Sequence, residues 1–207
     1  LVVLMSQFVQ ETGANSPSWG ETWKQGLYYT EEIGCEGGCN QYSQCGPADF
    51  CDEFPCAAGK SYHGRGAHQL SYCYNYGPFS LALYGDDRVL KAPELVSSTW
   101  LSLASALWFY MTPASPKPSM HDVVVGFWQP NSADAEQGLT VGLGVITNII
   151  NGGIECGSGT ESPQSVNRAN AYSKMCADFG IPVTMQGATE ANLGCKDMGS
   201  FGAQGSA

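Results

Sequence analysis

Basic residues are scarce in this chain. Its 207 residues include nine Lys and Arg against 19 Asp and Glu, a formal net charge of −10. A surface of that sign repels phosphate backbones and anionic lipid headgroups, so nucleic acid and membranes are poor partners. Long apolar runs are missing too. The longest, Leu95 to Met111, is broken by Ser97, Ser98, Thr99, Ser102 and Ser105, and is too short and too hydroxylated to span a bilayer. The three histidines, His63, His68 and His121, are too scattered for a metal triad. No serine sits in a nucleophile elbow and no glycine loop has the spacing that cradles phosphate. The opening Leu1-Val2-Val3-Leu4 has neither a basic leader region nor a cleavage site. No internal repeat is present.

What the chain does have is an adequate apolar fraction, 43%, for one domain with a real core. It also has nine cysteines, several at close spacing in loops. That density favours an oxidising compartment and hence a secreted protein. Cys35, Cys39, Cys45 and Cys51 have spacings a zinc site would tolerate, but in an oxidising compartment disulfides are the stronger reading. No metal or cofactor is called for.

Helix signals dominate the pattern. Apolar residues at 1, 4, 5 and 8 fit one helical face that starts without a cap, so Leu1 reads as the middle of a helix whose beginning lies upstream. Ser98 is a candidate cap for a helix to about Tyr110. There Trp100, Leu101, Leu103, Ala104, Leu107 and Trp108 make nearly every face apolar, which predicts a core helix. Pro113, Pro116 and Pro118 forbid helix until Ser119, which with Asp122 makes a capping-box-like start. Residues 142–151 read as a buried helix stopped by Gly152-Gly153. The clearest element has Ser162 as N-cap, Pro163 first and Gly180 just past the end, with Val166, Ala169, Tyr172, Cys176 and Phe179 facing inward. Residues 57–76, with turns at Ala58-Gly59 and Gly64–Gly66, predict a small antiparallel sheet.

Two segments carry the chemistry. Residues 62–78, YHGRGAHQLSYCYNYGP, and 144–157, GVITNIINGGIECG, crowd glycine, amide, hydroxyl and tyrosine into stretches with few charges. Tyr62, Tyr72, Tyr74 and Tyr76 could lie flat on sugar rings while Gln69, Ser71, Asn75 and Asn151 offer donors and acceptors. A neutral, amide-rich polysaccharide suits such a surface. The plainer reading is a tyrosine-rich strand entering a glycine loop.

These segments, with QETG (10–13) and ALWFYMTPASPKPSMHDV (106–123), occur in an order that resembles the family 19 glycoside hydrolases, the plant-type chitinases. The resemblance covers most of residues 1–195 and is weakest between Ala14 and Ala57. It implies a mainly α-helical, lysozyme-like, two-lobed domain with a small antiparallel sheet and a substrate cleft. Residues 1–198 would be the catalytic domain, lacking its N-terminal section, and 199–207 a flexible tail. The implied activity is endochitinase, cutting β-1,4 bonds between N-acetylglucosamine units with inversion. The implied partners are chitin oligomers, bound by a monomer.

Glycoside hydrolysis needs a carboxylic acid to protonate the leaving oxygen and a carboxylate opposite it. The family pattern places the acid at Glu11. Counting from Gly26 through Leu27, Tyr28, Tyr29 and Thr30 puts the second carboxylate at Glu32, with Glu31 one step short. The plainer reading is that Glu11 ends a helix and Glu31-Glu32 is a solvated charge pair. Ser71 matches the serine that helps hold the attacking water. Gln69, Tyr74, Asn75, Lys117, Asn151 and Phe54 fall at sugar-contacting or cleft positions. Asn151 could equally cap a helix, and Lys117 be an ordinary exposed lysine. Glu155 and Arg168 match a charged network supporting the acid. Glu155 at a helix C-terminus is badly placed for the helix dipole, which argues for a specific cationic partner; Arg168 could otherwise form a surface salt bridge. The resemblance also implies disulfides Cys51–Cys56 and Cys156–Cys195. Cys176 would be a free, inert thiol, and the pairing of Cys35, Cys39, Cys45 and Cys73 stays open.

Several positions depart from the family pattern. Gln10 replaces a histidine beside the acid, Ala14-Asn15 a glycine pair, and Phe54 a cleft tryptophan. Cys35, Cys39 and Cys45 lie in an insertion just after Glu32. These changes bear on activity, so a chitin- or cell-wall-binding protein that lost the chemistry is the alternative, with a peptidoglycan-cutting relative as a third reading.

Overall fold

The computed structural model describes residues 1–43 and 51–202. Among them the α-helices are α1 (Val2–Thr12), α2 (Cys73–Tyr84), α3 (Arg88–Lys91), α4 (Leu95–Ser98), α5 (Leu101–Met111), α6 (Met120–Val124), α7 (Ser132–Glu136), α8 (Leu143–Glu155) and α9 (Pro163–Phe179). None is long and apolar enough to cross a membrane. The chain forms two compact units. The first comprises Leu1–Gln10, Asn15–Gln25 and Phe109–Ala207; the second comprises Glu11–Ala14 and Gly26–Trp108.

In the first unit, α8 is the centre. Every residue from Leu143 to Ile149 is buried, and full burial of a side chain such as Leu143 or Ile146 contributes about 1.5–3 kcal/mol. Gly144 is required there because a Cβ would run into the Gly194 carbonyl. α6 and α9 pack on α8. The helix does not stop at Gly152-Gly153 as its sequence suggests. It kinks at Asn151 (φ −144°, ψ 35°) and runs on to Glu155, whose buried side chain is held by Arg168.

α9 starts and stops at its predicted signals. Ser162 accepts the Ser165 N–H at 3.1 Å, and Gly180 adopts the left-handed φ of 64° that ends the helix. Its buried face is Ser165, Arg168, Ala171, Tyr172, Met175 and Cys176, whereas Val166 and Phe179, expected inside, are exposed. The helix is rotated so that Arg168 can reach its buried partners. Ser119 caps α6 by accepting the Asp122 N–H at 3.0 Å. Beyond 198 the chain is still packed: the Gly199 N–H donates to Gln137 O, its carbonyl accepts from Asn148, and Phe201 lies against Trp128. Of the expected tail at 199–207, Gly199 and Phe201 thus make these contacts, and residues 203–207 lie outside the described ones.

In the second unit, α2 and α3 pack together over a core that includes Tyr62, Tyr76, Phe79, Val89 and Val96. The helix after residue 98 differs from expectation. Ser98 closes α4, its hydroxyl donating to Glu94 O, and the Thr99 hydroxyl accepts the Leu101 N–H at the start of α5. Only the Leu101, Ser105, Ala106 and Tyr110 face of α5 is buried; Trp100, Leu103 and Leu107 are more than half exposed. Small Ser105 and Ala106 define the side that approaches its surroundings, which composition averaged round the helix does not reveal.

The expected sheet at 57–76 takes the form of antiparallel bridges, Glu31 with Arg65 and Arg65 with Leu70. Positive φ at Gly66, Gln69 and Tyr72 interrupts any longer strand, and α2 already begins at Cys73. Tyr62 and Tyr76 are fully buried core residues, not stacking platforms.

Candidate active site

In the second unit Glu11 sits in the last turn of α1, half-buried. Thr12, 1% exposed, ties the chain beyond the intervening loop back to that helix end. Its Oγ1 accepts the Leu27 N–H at 2.8 Å, and its carbonyl accepts the N–H groups of Tyr28 and Tyr29 at 3.0 and 2.9 Å. From there the chain runs through Thr30 to Glu32.

Glu32 is gripped at backbone and side chain. Its N–H donates to Gly64 O at 2.9 Å, Gly64 N–H returns a bond to Oε2 at 3.0 Å, and the Tyr42 hydroxyl donates to Oε1 at 3.2 Å. Burial and the Glu32 carboxylate together push the Tyr42 hydroxyl up to about 12, so it stays a donor. Each carboxylate oxygen retains a lone pair for a water.

Glu31 and Glu32 are not a solvated pair. Glu31 Oε1 accepts from His63 Nε2 at 2.7 Å and Arg65 Nε at 2.9 Å. Burial alone would raise its carboxyl; the hydrogen bonds and positive charge of His63 and Arg65 outweigh that and hold it below the usual range.

Ser71 lies one residue beyond Leu70, which bridges Arg65, so Glu32 and Ser71 flank the same short backbone ladder. The Ser71 hydroxyl donates to Gln69 O at 2.9 Å, and Asn75 Nδ2 to Ser71 O at 2.9 Å. Gln69 takes φ 50° and donates to Gly66 O. Half-buried Tyr74 stacks on Tyr72 at 5.2 Å, which uses one face of its ring. Phe54 packs so closely on Gly77 that a Cβ there would collide with it.

The first unit holds the other candidates. Glu155 and Arg168, each 1% exposed, meet through bonds of 3.0 Å (Nε to Oε2) and 2.7 Å (Nη2 to Oε1). Asn151 Nδ2 donates to Glu155 Oε1 at 3.0 Å, and Arg168 Nη1 donates to Gln7 Oε1 at 2.8 Å. Gln10 Oε1 accepts from Asn167 at 2.8 Å. The ionic pair thus grips α1 at Gln7 and, through the neighbouring Asn167, at Gln10, the residue before Glu11. Lys117 Nζ donates to Asn148 O and Ile149 O at 3.1 and 2.9 Å, capping the first half of α8 at its kink. Its partly buried ammonium is lowered from the usual lysine range by desolvation.

Cys156 is joined to Cys195 and Cys35 to Cys39, while Cys176 is a free, buried thiol. Cys56 is joined to Cys73 rather than to Cys51. Cys51, itself disulfide-bonded, has its sulfur 3.2 Å from that of Cys73. These three sulfurs lie within 4.8 Å of one another, so proximity in sequence could not choose the partner. Cys45 lies outside the described residues. With Cys35 and Cys39 bonded to each other, the four-thiol zinc reading fails.

Thr12, Gln7 and Tyr42 carry this geometry and were not singled out from sequence, nor was Gly64 beyond its place in a turn. Gln7 could have been, as an uncharged polar residue on the apolar face of α1.

A family model described as "Chitinase class I" matches residues 5–195. Endochitinase B of Nicotiana tabacum is 46% identical over 170 residues, 80% of this chain and 50% of that protein. Chitinase 9 of Oryza sativa subsp. japonica is 46% identical over 189 residues, 91% of this chain and 51% of that protein. The chain thus spans about half the length of these relatives. Among solved structures, chitinase C from Streptomyces griseus superposes with a TM-score of 0.66 at 25% identity, covering 94% of this chain and 75% of that one. A second bacterial family 19 chitinase gives 0.64 at 26%, covering 94% and 77%.

Proposed function

The chain belongs to the class I chitinase family, glycoside hydrolase family 19, and on that premise we propose that it is an endochitinase cutting β-1,4 links between N-acetylglucosamine units with inversion. Glu11 is the general acid and Glu32 the general base. Glu32 takes a proton from a water held with the help of Ser71, and the water oxygen attacks the anomeric carbon. The bond from that carbon to the leaving sugar's oxygen breaks, and Glu11 gives that oxygen its proton. One displacement at one carbon turns the β link into an α product.

The observation that carries this reading is the aim of Glu32. Its carboxylate is fixed at both oxygens by Tyr42 and Gly64, on a segment that Thr12 ties to the helix of Glu11. An acid retained only for solubility has no need of such a grip. Gln69, Tyr74, Asn75, Phe54, Lys117 and Asn151 supply sugar contacts in this proposal, and the Glu155–Arg168 pair steadies α1. The disulfides fit a secreted protein, acting as a monomer on a neutral polymer.

A binding protein on the same scaffold is the second reading. It is favoured by Gln10, whose amide, engaged with Asn167, offers no exchangeable charge beside Glu11. Incubating the full-length gene product with a soluble chitin hexasaccharide and separating the products decides between them. Internal cleavage supports the enzyme; tight binding with no cleavage supports the binder.

A further inference from the structure

The grip on Glu32 has a second layer. Glu31, its neighbour, sends its side chain to the two residues that flank Gly64 in sequence, while Glu32 bonds Gly64 itself. Glu31 Oε1 accepts from His63 Nε2 at 2.7 Å and from Arg65 Nε at 2.9 Å. Glu32 exchanges hydrogen bonds with Gly64 at 2.9 Å through its backbone and 3.0 Å through its carboxylate. Successive residues of an extended segment point to opposite sides, so Glu31 reaches the His63 and Arg65 side chains while Glu32 reaches the Gly64 amide and the Tyr42 hydroxyl.

The clamp is closed on its inner side. His63 is 1% and Arg65 6% exposed. Arg65 Nη1 donates to Ser61 O at 2.9 Å and to the Tyr76 hydroxyl at 3.3 Å, and that hydroxyl donates to His63 O at 3.1 Å. His63 Nδ1 lies 3.0 Å from Ser61 Oγ. A buried ionic cluster adds little stability over apolar packing of the same volume; what this one can add is register. We propose that Glu31 is a positioning residue for catalysis, acting with His63 and Arg65 as an ionic brace that fixes Gly64 and thereby aims the Glu32 carboxylate. The inference rests on Glu32 being the base.

Two readouts on the full-length gene product test it. The first needs no substrate. The Gly64 amide proton donates to the Glu32 carboxylate, so its NMR shift should follow the titration of that carboxylate. In Glu31→Ala that pH response should fall to less than half of the wild-type amplitude. The second is turnover of the chitin hexasaccharide. A misaimed base should lower kcat by about tenfold or more, with KM changed by less than about twofold. Glu31→Gln keeps an oxygen for His63 and Arg65 and should restore kcat to within about threefold of wild type. Should Glu31→Ala fail to fold, Glu31→Asp replaces it. Its shorter reach should lower kcat about threefold or more and weaken the Gly64 response. An unchanged Gly64 response in the Ala or Asp variant overturns the proposal, as does an unchanged kcat when the wild type is active. If the wild type cuts no oligomer, the activity reading falls on its own, and loss of the Gly64 response still supports the brace.

Discussion

Arg168 and Glu155 form a doubly hydrogen-bonded ion pair, at 3.0 and 2.7 Å, with each side chain 1% exposed. The pair explains three features at once: α8 continues past two glycines to reach it, α9 is rotated to present Arg168 inward, and Gln7 is buried in α1 to accept a further guanidinium N–H. Removing one partner strands a buried charge, which costs about 3–5 kcal/mol. Arg168→Ala and Glu155→Ala should each lower the unfolding free energy by that order, and the denaturant midpoint with it, and Arg168→Lys should not rescue, because an ammonium cannot make two parallel bonds. Equilibrium unfolding of the three variants checks this; midpoints within error of wild type would contradict it.

Thr12 should matter more for rate than its small size suggests. Thr12→Val keeps shape but removes the acceptor for the Leu27 N–H, and the net loss of one such hydrogen bond costs about 0.5–1.5 kcal/mol. The bonds from Tyr28 and Tyr29 go to the Thr12 carbonyl and remain. The variant should therefore fold with reduced stability and show a lower kcat with KM little changed. Thermal melts and steady-state kinetics read the two effects separately.

The depressed carboxyl of Glu31 makes a pH statement. Burial opposes ionisation, but His63 and Arg65 prevail and the folded-state value lies below 4.5. Its stabilising contribution is thus fully present above the ordinary value of 4.5 and fades as pH falls through the depressed folded value. The stability gap between wild type and Glu31→Gln should be flat near neutrality and shrink in acid. A gap that widens on acidification would contradict the sign.

Much of this was legible in the chain, and the misses have physical causes. Both ends of α9 could be read because Ser162, Pro163 and Gly180 act locally, through caps and backbone preference. Its buried face could not, because Arg168 turns inward toward partners as far as 13 and 161 residues away in sequence. The apolar wrap of α5 suggested a core helix, yet only its Ser105 and Ala106 side is covered. The family pattern pointed to Glu32 as the proposed base, but Tyr42 and Gly64, which hold its carboxylate, reach it through the folded backbone and leave no periodic trace. Cys56 is joined to Cys73, the first residue of α2, rather than to the nearer cysteine in sequence, something a count of intervening residues cannot express.

The disulfide pattern is directly measurable. Peptide mapping without reduction should recover Cys35–Cys39, Cys56–Cys73 and Cys156–Cys195, with Cys176 alkylated only after unfolding. The last bridge closes 39 residues, and its removal by paired serine substitution should cost about 2–4 kcal/mol. Recovery of Cys51–Cys56 would contradict the assignment.

In the proposed mechanism Glu11 and Glu32 carry out a single inverting displacement. Glu11→Gln and Glu32→Gln should each lower kcat by about 10²–10⁴-fold, with oligomer affinity altered far less because the sugar-contacting side chains remain. The most direct measurement is proton NMR of the first product formed from a chitin hexasaccharide by the full-length gene product, recorded before mutarotation. The newly formed reducing end should appear as the α anomer. A β anomer at the earliest times would contradict it.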